Sequence, residues 1–286
     1  MTTLFISPGD YSWGSSRMRC YWPARYMKDA AVIGTDSPIS TNYDAYIFMK
    51  QAANYEAMDR LRQAGKKVYF DLCDPMWWWN PKGTLEIAKV CNRVVCSSLG
   101  LGEDFTYCSK IDCDVIPDRL DLSHFTKTKV HAESNPIRLI WYGVSVNRIS
   151  LFAALANLER LVANGCNIEL TICDDRPDAE LSWTDMLPVK HRRWSVENEV
   201  STILEHDIAL LPPYPGAWGK VKSNNKTLTA WACGLPVSTG EDYYELYDLC
   251  KSVEMRQALG TAGRNDVVSN WNVKNSAFEW QELINQ

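Results

Sequence analysis

Short apolar runs alternate with longer amphipathic stretches along the whole chain, the pattern of parallel strands joined by helical crossovers. An α/β protein is expected. In the first half the strand candidates are TLFIS at 3–7, AYIFM at 45–49, KVYFD at 67–71, RVVCS at 93–97 and CDVIP at 113–117. Helical patterns fall between them at 16–27, at 54–64 with Gly65 as the stop, at 84–89 and at 99–107. A polar stretch after Asp121, SHFTKTKVHAESNP, is broken by Pro136 and reads as a linker, which divides the chain into domains 1–130 and 131–286. Beyond it the alternation restarts, with strands at 138–143, 167–173, near 189–194, 207–212 and 235–239, and helices at 149–163, 196–205 and 225–232.

At 286 residues the chain is long enough for two such domains. Hydrophobic residues at 46% and charged residues at 23% are ordinary globular usage and exclude a long disordered tract. The net charge of −5 argues against indiscriminate coating of nucleic acid or attraction to anionic lipid. No apolar run approaches the roughly 20 residues of a membrane helix, and the first residues lack a signal-peptide pattern. A cytoplasmic protein without integral membrane association is expected. The ten cysteines are spread through a large chain without a C-x-x-C pair or paired histidines, so reduced thiols are expected rather than zinc ligands or disulfides.

The most informative stretch runs from Asp207 to Gly240. A buried strand enters a Pro- and Gly-rich loop containing Tyr214, and Lys222, Ser223, Asn224, Asn225, Lys226 and Thr227 then open a helix that ends near Gly234. With Ser223 or Asn224 as N-cap, the first backbone N–H groups and the positive end of the helix dipole form a seat for an anion. Two lysines beside it suit a diphosphate.

These residues resemble the donor-binding region of GT-B glycosyltransferases of the family-4 type. Asp207–Pro212 corresponds to a D-hydrophobic-P strand, Lys222–Lys226 to a variant K-S-x-N-K helix start and Ala232–Val237 to A-C-G-L-P-V. RLIWYG at 138–143 resembles the first donor-domain strand, RRWSVENEV at 192–200 the segment facing the nucleotide, and VIPDRLDLSHF at 115–125 the connector. KKVYFDLCDPMWW and SSRMRCYWPARYM resemble first-domain segments of one branch. The resemblance implies two Rossmann-like domains with parallel sheets facing across a cleft, and transfer of a sugar from a nucleotide-diphosphate sugar to an acceptor hydroxyl, with retention and without a metal or other cofactor. It assigns Gly14, in the loop after the first strand, together with Gly143, Arg148, Trp194, Ser195, Tyr214, Ser223, Asn224, Asn225 and Thr227 to the donor, and charge stabilisation to Lys222 and Lys226. The family's paired glutamates are absent: Val221 and Thr229 stand in their places.

Asp71 and Asp74 end the KVYFD strand, where a carboxylate could orient or deprotonate an acceptor hydroxyl, so an inverting enzyme with either acid as base is an alternative. Trp77 and Trp78 offer flat faces for a sugar ring or a base, and Arg17 and Arg19 could join them in a basic aromatic groove. The acceptor is therefore a glycan or small molecule, with a hydroxylated base in DNA as the alternative. A non-catalytic nucleotide-sugar-binding module is the remaining class. The D-x-D pattern at Asp112 and Asp114 is read as a solvated turn.

Overall fold

The computed structural model describes residues 1–177 and 186–286. In chain order the strands are β1 Thr3–Ser7, β2 Ala30–Gly34, β3 Ala45–Met49, β4 Lys67–Leu72, β5 Arg93–Cys96, β6 Cys113–Val115, β7 Ile137–Tyr142, β8 Ile168–Asp174, β9 Val189–Arg193, β10 Ile208–Leu210 and β11 Val237–Ser238. The helices are α1 Gly14–Ser16, α2 Trp22–Tyr26, α3 Tyr55–Gln63, α4 Pro81–Val90, α5 Leu99–Ser109, α6 Phe152–Ala163, α7 Glu199–Leu204, α8 Ala217–Val221, α9 Asn225–Ala232, α10 Tyr243–Lys251, α11 Val253–Asn270 and α12 Val273–Asn285.

The chain forms two compact units. The first comprises Met1–Asp121 and two segments that return to it, Ala217–Ser223 and Trp271–Gln286; the second comprises Leu122–Gly216 and Asn224–Asn270. Residues 123–136, expected as a linker, are packed into the second unit. Phe125 is fully buried, the Lys129 amide donates to Cys233 O, and the His131 ring meets Gly234 O at 2.9 Å.

The first unit is a six-stranded parallel sheet in the order β2-β1-β3-β4-β5-β6. Its central strands are apolar on both faces, as a sheet covered on both sides requires. Leu4, Ile6, Tyr46, Phe48, Val68 and Phe70 face one layer. Phe5, Ile47 and Tyr69 face the other, where Trp280 of α12 packs edge-on against Phe5 and Tyr69 with ring centroids 6.2 and 6.0 Å away. Strand order reverses between β1 and β3, which places the ligand crevice of this unit at the ends of those strands.

The second unit repeats the plan with five parallel strands, β11-β10-β7-β8-β9, and its order reverses between β7 and β10. Leu139, Trp141, Leu158, Leu170 and Leu210 lie at the centre of its core.

Three expectations are corrected. The edge strand β2 was missed, since AAVIG is only half-buried and carries no alternation. The loop before Lys222 contains α8, too short to show a helical period. The first helix is interrupted by a π-turn at Arg17–Tyr21, where the Trp22 N–H reaches Arg17 O; Pro23, next along, has no N–H to continue the ordinary ladder.

Candidate functional site

In the second unit the carboxyl end of β7 meets the start of α9. The Tyr142 hydroxyl donates to Lys226 O at 2.6 Å, fixing the first helical turn to the strand. The first bond inside α9 runs from Leu228 N to Asn224 O, so the N–H groups of Asn225, Lys226 and Thr227 precede it at the positive end of the helix. Asn224 occupies the N-cap position, yet its side chain makes no capping bond. The expected alternative cap, Ser223, belongs to the first unit, where its hydroxyl donates to Asp118 at 2.6 Å. Lys226 lies across Gly143: a β-carbon built on that glycine would stand 2.8 Å from Lys226 Cε.

Arg148 is corrected from a diphosphate contact to a buried anchor. Its guanidinium is held by Asp174 at the end of β8, with Nη2 2.8 Å from Oδ1, and also donates to Arg176 O. The neighbouring Asp175 accepts the Ser145 amide at 2.7 Å; burial opposes its charge, but this bond and others around it hold its carboxyl below the usual range. Asp174 and Asp175 together fasten the loop after β7 to the end of β8. Trp194 follows β9, half-buried, with its amide on Asp174 O. Ser195 and Asn198 exchange backbone-to-side-chain bonds just before α7, and Glu199 in its first turn meets His124 Nε2 at 3.2 Å. Tyr214 lies half-buried beyond β10. Thr229 is buried and bonds back to Asn225 O, while Val221 packs in the first unit's core, so neither position supplies a carboxylate.

In the first unit, period-two alternation along β4 sends Asp71 to the same layer as Tyr69, beneath the helical stretch after β1. There Arg19 closes on it with Nε 3.0 Å from Oδ2 and Nη2 on Oδ1, and its remaining nitrogen reaches Ile116 O and Asp118. Arg19 and Asp71 are 2% and 0% exposed, so neither can meet an acceptor. Burial raises the Asp71 carboxyl and Arg19 opposes that shift. Arg17 is likewise buried, donating to Tyr11 O and Ser12 O, with the ring of Trp22 beneath it at 5.4 Å. These three residues are corrected from site to scaffold. Gly14 opens α1 in the loop after β1.

Asp74, just beyond β4, is different. Its two oxygens are taken by Lys50 and Lys222. Burial opposes ionisation here too, but the two ammonium groups more than offset it and hold the carboxyl below the usual range. Lys50, which no motif marked, leaves β3 at the crevice between β1 and β3. It adopts φ 47°, a left-handed conformation costing a non-glycine residue about 1–2 kcal/mol, and approaches Ser15 at 3.5 Å. Its position at a strand's carboxyl end was the available signal. Lys222 Nζ also stands 4.5 Å from the Trp218 ring centroid.

Of the tryptophans, Trp77 is corrected to a core residue, 5% exposed and edge-on to Phe105. Trp78 and Trp79 are exposed and lie 5.9 and 5.6 Å from Trp218 on α8. All ten cysteines are free thiols. Among the described residues no cluster of three or more His, Cys, Asp or Glu is placed to hold a metal ion, and no helix is long and apolar enough to cross a membrane.

No protein-family profile and no curated protein matches this sequence. Solved structures do resemble the fold. HepE of Anabaena, in complex with UDP-glucose, superposes with a TM-score of 0.69 at 10% identity, covering 100% of this chain and 99% of that one. A glycosyltransferase from Rickettsia africae ESF-5 gives a TM-score of 0.71 at 12% identity, covering 99% and 97%. An alpha-glucosyltransferase in complex with UDP and a 13-mer DNA containing an HMU base gives 0.70 at 10% identity over 100% of both chains. The two parallel sheets and this full-length similarity identify the fold as GT-B.

Proposed function

We propose that the protein is a glycosyltransferase that moves a sugar from a nucleotide-diphosphate sugar to an acceptor hydroxyl, with retention of configuration and without a metal or other cofactor. The observation that carries this reading is Lys226 lying over Gly143 at the amino end of α9, beside the carboxyl end of β7. Breaking the glycosidic bond of the donor builds negative charge on the departing diphosphate, and an ammonium together with three helix amides supplies fixed positive charge for it. The solved structures of the same fold that hold UDP or UDP-glucose support a nucleotide-sugar donor.

The two acids at the end of β4 favour retention over inversion. Asp71 is closed off by Arg19, and Asp74 is kept a weak base by Lys50 and Lys222. A carboxylate with a depressed pKa accepts a proton poorly, so the acceptor proton passes to the leaving phosphate. A glycan or small-molecule acceptor is also favoured over DNA, because Arg17 and Arg19, the cations expected to hold a phosphate backbone, are buried.

Isothermal titration with UDP, GDP and ADP and their hexose conjugates tests the reading. One nucleotide series binds, and Lys226→Ala weakens it about tenfold or more. Failure to bind any of them overturns the proposal. Binding without turnover or slow donor hydrolysis assigns the chain to a non-catalytic module.

A further inference from the structure

The first unit carries an open cavity of about 370 Å³ that no step of the proposed transfer uses. It lies where α5 meets α8, and Trp78, Glu103, Asp104, Tyr107 and Lys220 contribute to its lining. Two aromatic side chains face solvent here: Tyr107 is 75% exposed and Trp78 38%. Trp78 is anchored. Asp104 Oδ2 accepts the indole N–H groups of both Trp77 and Trp78 at 2.8 Å, and Trp218 backs Trp78 edge-on. Lys110 stands over the Tyr107 ring, 4.7 Å from its centroid.

Polar groups surround these rings. Among the described residues, no hydrogen bond or ion pair engages the carboxylate of Glu103, Asp104 Oδ1 or the ammonium of Lys220. An anchored indole and an exposed phenol ring next to open acceptors and a donor match one chemistry closely. A pyranose ring presents a C–H face to stack on an aromatic ring and a rim of hydroxyls that give and take hydrogen bonds. The volume lies within the usual range for a small-ligand pocket.

We infer that this cavity is a carbohydrate subsite that holds a neutral sugar residue of the acceptor, making the acceptor an oligosaccharide rather than a small aglycone. The inference rests on the transferase reading above for the word acceptor, but the binding itself is tested without turnover. Neutral hexose disaccharides to tetrasaccharides, titrated into the full chain and followed by tryptophan fluorescence and calorimetry, bind at millimolar or lower concentration. Tyr107→Ala and Glu103→Gln each weaken that binding at least fivefold and leave UDP affinity unchanged. Both side chains are exposed, so both variants fold.

A glycan array that retains no protein, or sugar binding indifferent to both substitutions, overturns the subsite. So does a concentration-dependent dimer dissolved by Tyr107→Ala, which assigns the aromatic patch to a second copy of the chain. Sugar binding that persists in a protein unable to bind any nucleoside diphosphate leaves the subsite standing and removes the transferase.

Discussion

Lys226 and Gly143 are in contact through the space a side chain would otherwise fill: the lysine's Cε lies 2.8 Å from where a β-carbon on residue 143 would be. The strand end and the helix start can approach because one of them is glycine. Gly143→Ala therefore displaces the lysine's flexible terminal atoms and presses lightly on the buried Trp141 ring, 3.3 Å away, without meeting backbone. The expected outcome is a thermal midpoint within a few degrees of the parent and UDP affinity reduced about tenfold, by the loss of a charge-assisted contact. Parallel calorimetry and thermal melts read both numbers; unchanged affinity would remove Lys226 from the diphosphate seat.

Asp71 is a structural acid. Asp71→Asn leaves the Arg19 guanidinium buried without its counter-charge and lowers unfolding free energy by on the order of 3 kcal/mol. Urea unfolding measures the loss. A double change to Arg19→Met and Asp71→Leu recovers much of it, because apolar partners carry no desolvation cost. An Asn variant of normal stability but without turnover would instead restore Asp71 as a catalytic base.

His206 gives the second unit a pH dependence. Its ring is 3% exposed, with Nδ1 2.7 Å from Thr202 O and Nε2 2.8 Å from Thr171 Oγ1. A neutral ring satisfies both contacts by donating to the carbonyl and accepting from the hydroxyl. Burial pushes the imidazole down to about 4 from its ordinary 6.5, so the unfolded chain binds the proton first. This contribution is complete above pH 6.5 and drains away as pH falls toward 4, amounting to about 3 kcal/mol. Denaturant titrations across that window reveal the slope in the parent, and His206→Gln flattens it.

Gly100 lets α5 and α8 approach. A β-carbon there would sit 2.5 Å from Lys220 O, a backbone atom with no rotamer to escape into. Gly100→Ala is expected to cost about 1–3 kcal/mol and to shift α8 together with Trp218 and Lys222. Loss of stability in denaturant, with a change in tryptophan emission, is the expected result; a silent substitution would mean that α8 packs elsewhere.

The alternation of apolar strands and amphipathic helices made the α/β plan legible, because each buried parallel strand is a short uninterrupted apolar run. The start of α9 at Asn225 was legible for the same local reason: polar residues opening a helix directly after a strand and loop. What stayed hidden depends on contacts across the sequence. Nothing near Arg19 announces that Asp71, 52 residues on, neutralises it. Arg148 reads as an available cation until the end of β8 brings Asp174 to it. Lys50 lies in no motif and becomes visible only when β3 is placed beside β1. α8 was missed because five residues carry too little period to separate a helical turn from a loop.

The return of Ala217–Ser223 and Trp271–Gln286 to the first unit governs how the protein can be made. On the ribosome the layer that holds Phe5 and Tyr69 has only Cys20, Ala24 and Met27 of the early helices over it until the whole second unit has been synthesised and Trp280, Leu283 and Ile284 emerge. A recombinant fragment cut after Asp121 would keep that layer half-covered permanently. Expression of the first unit alone therefore calls for a circularly rearranged or grafted gene rather than a simple truncation.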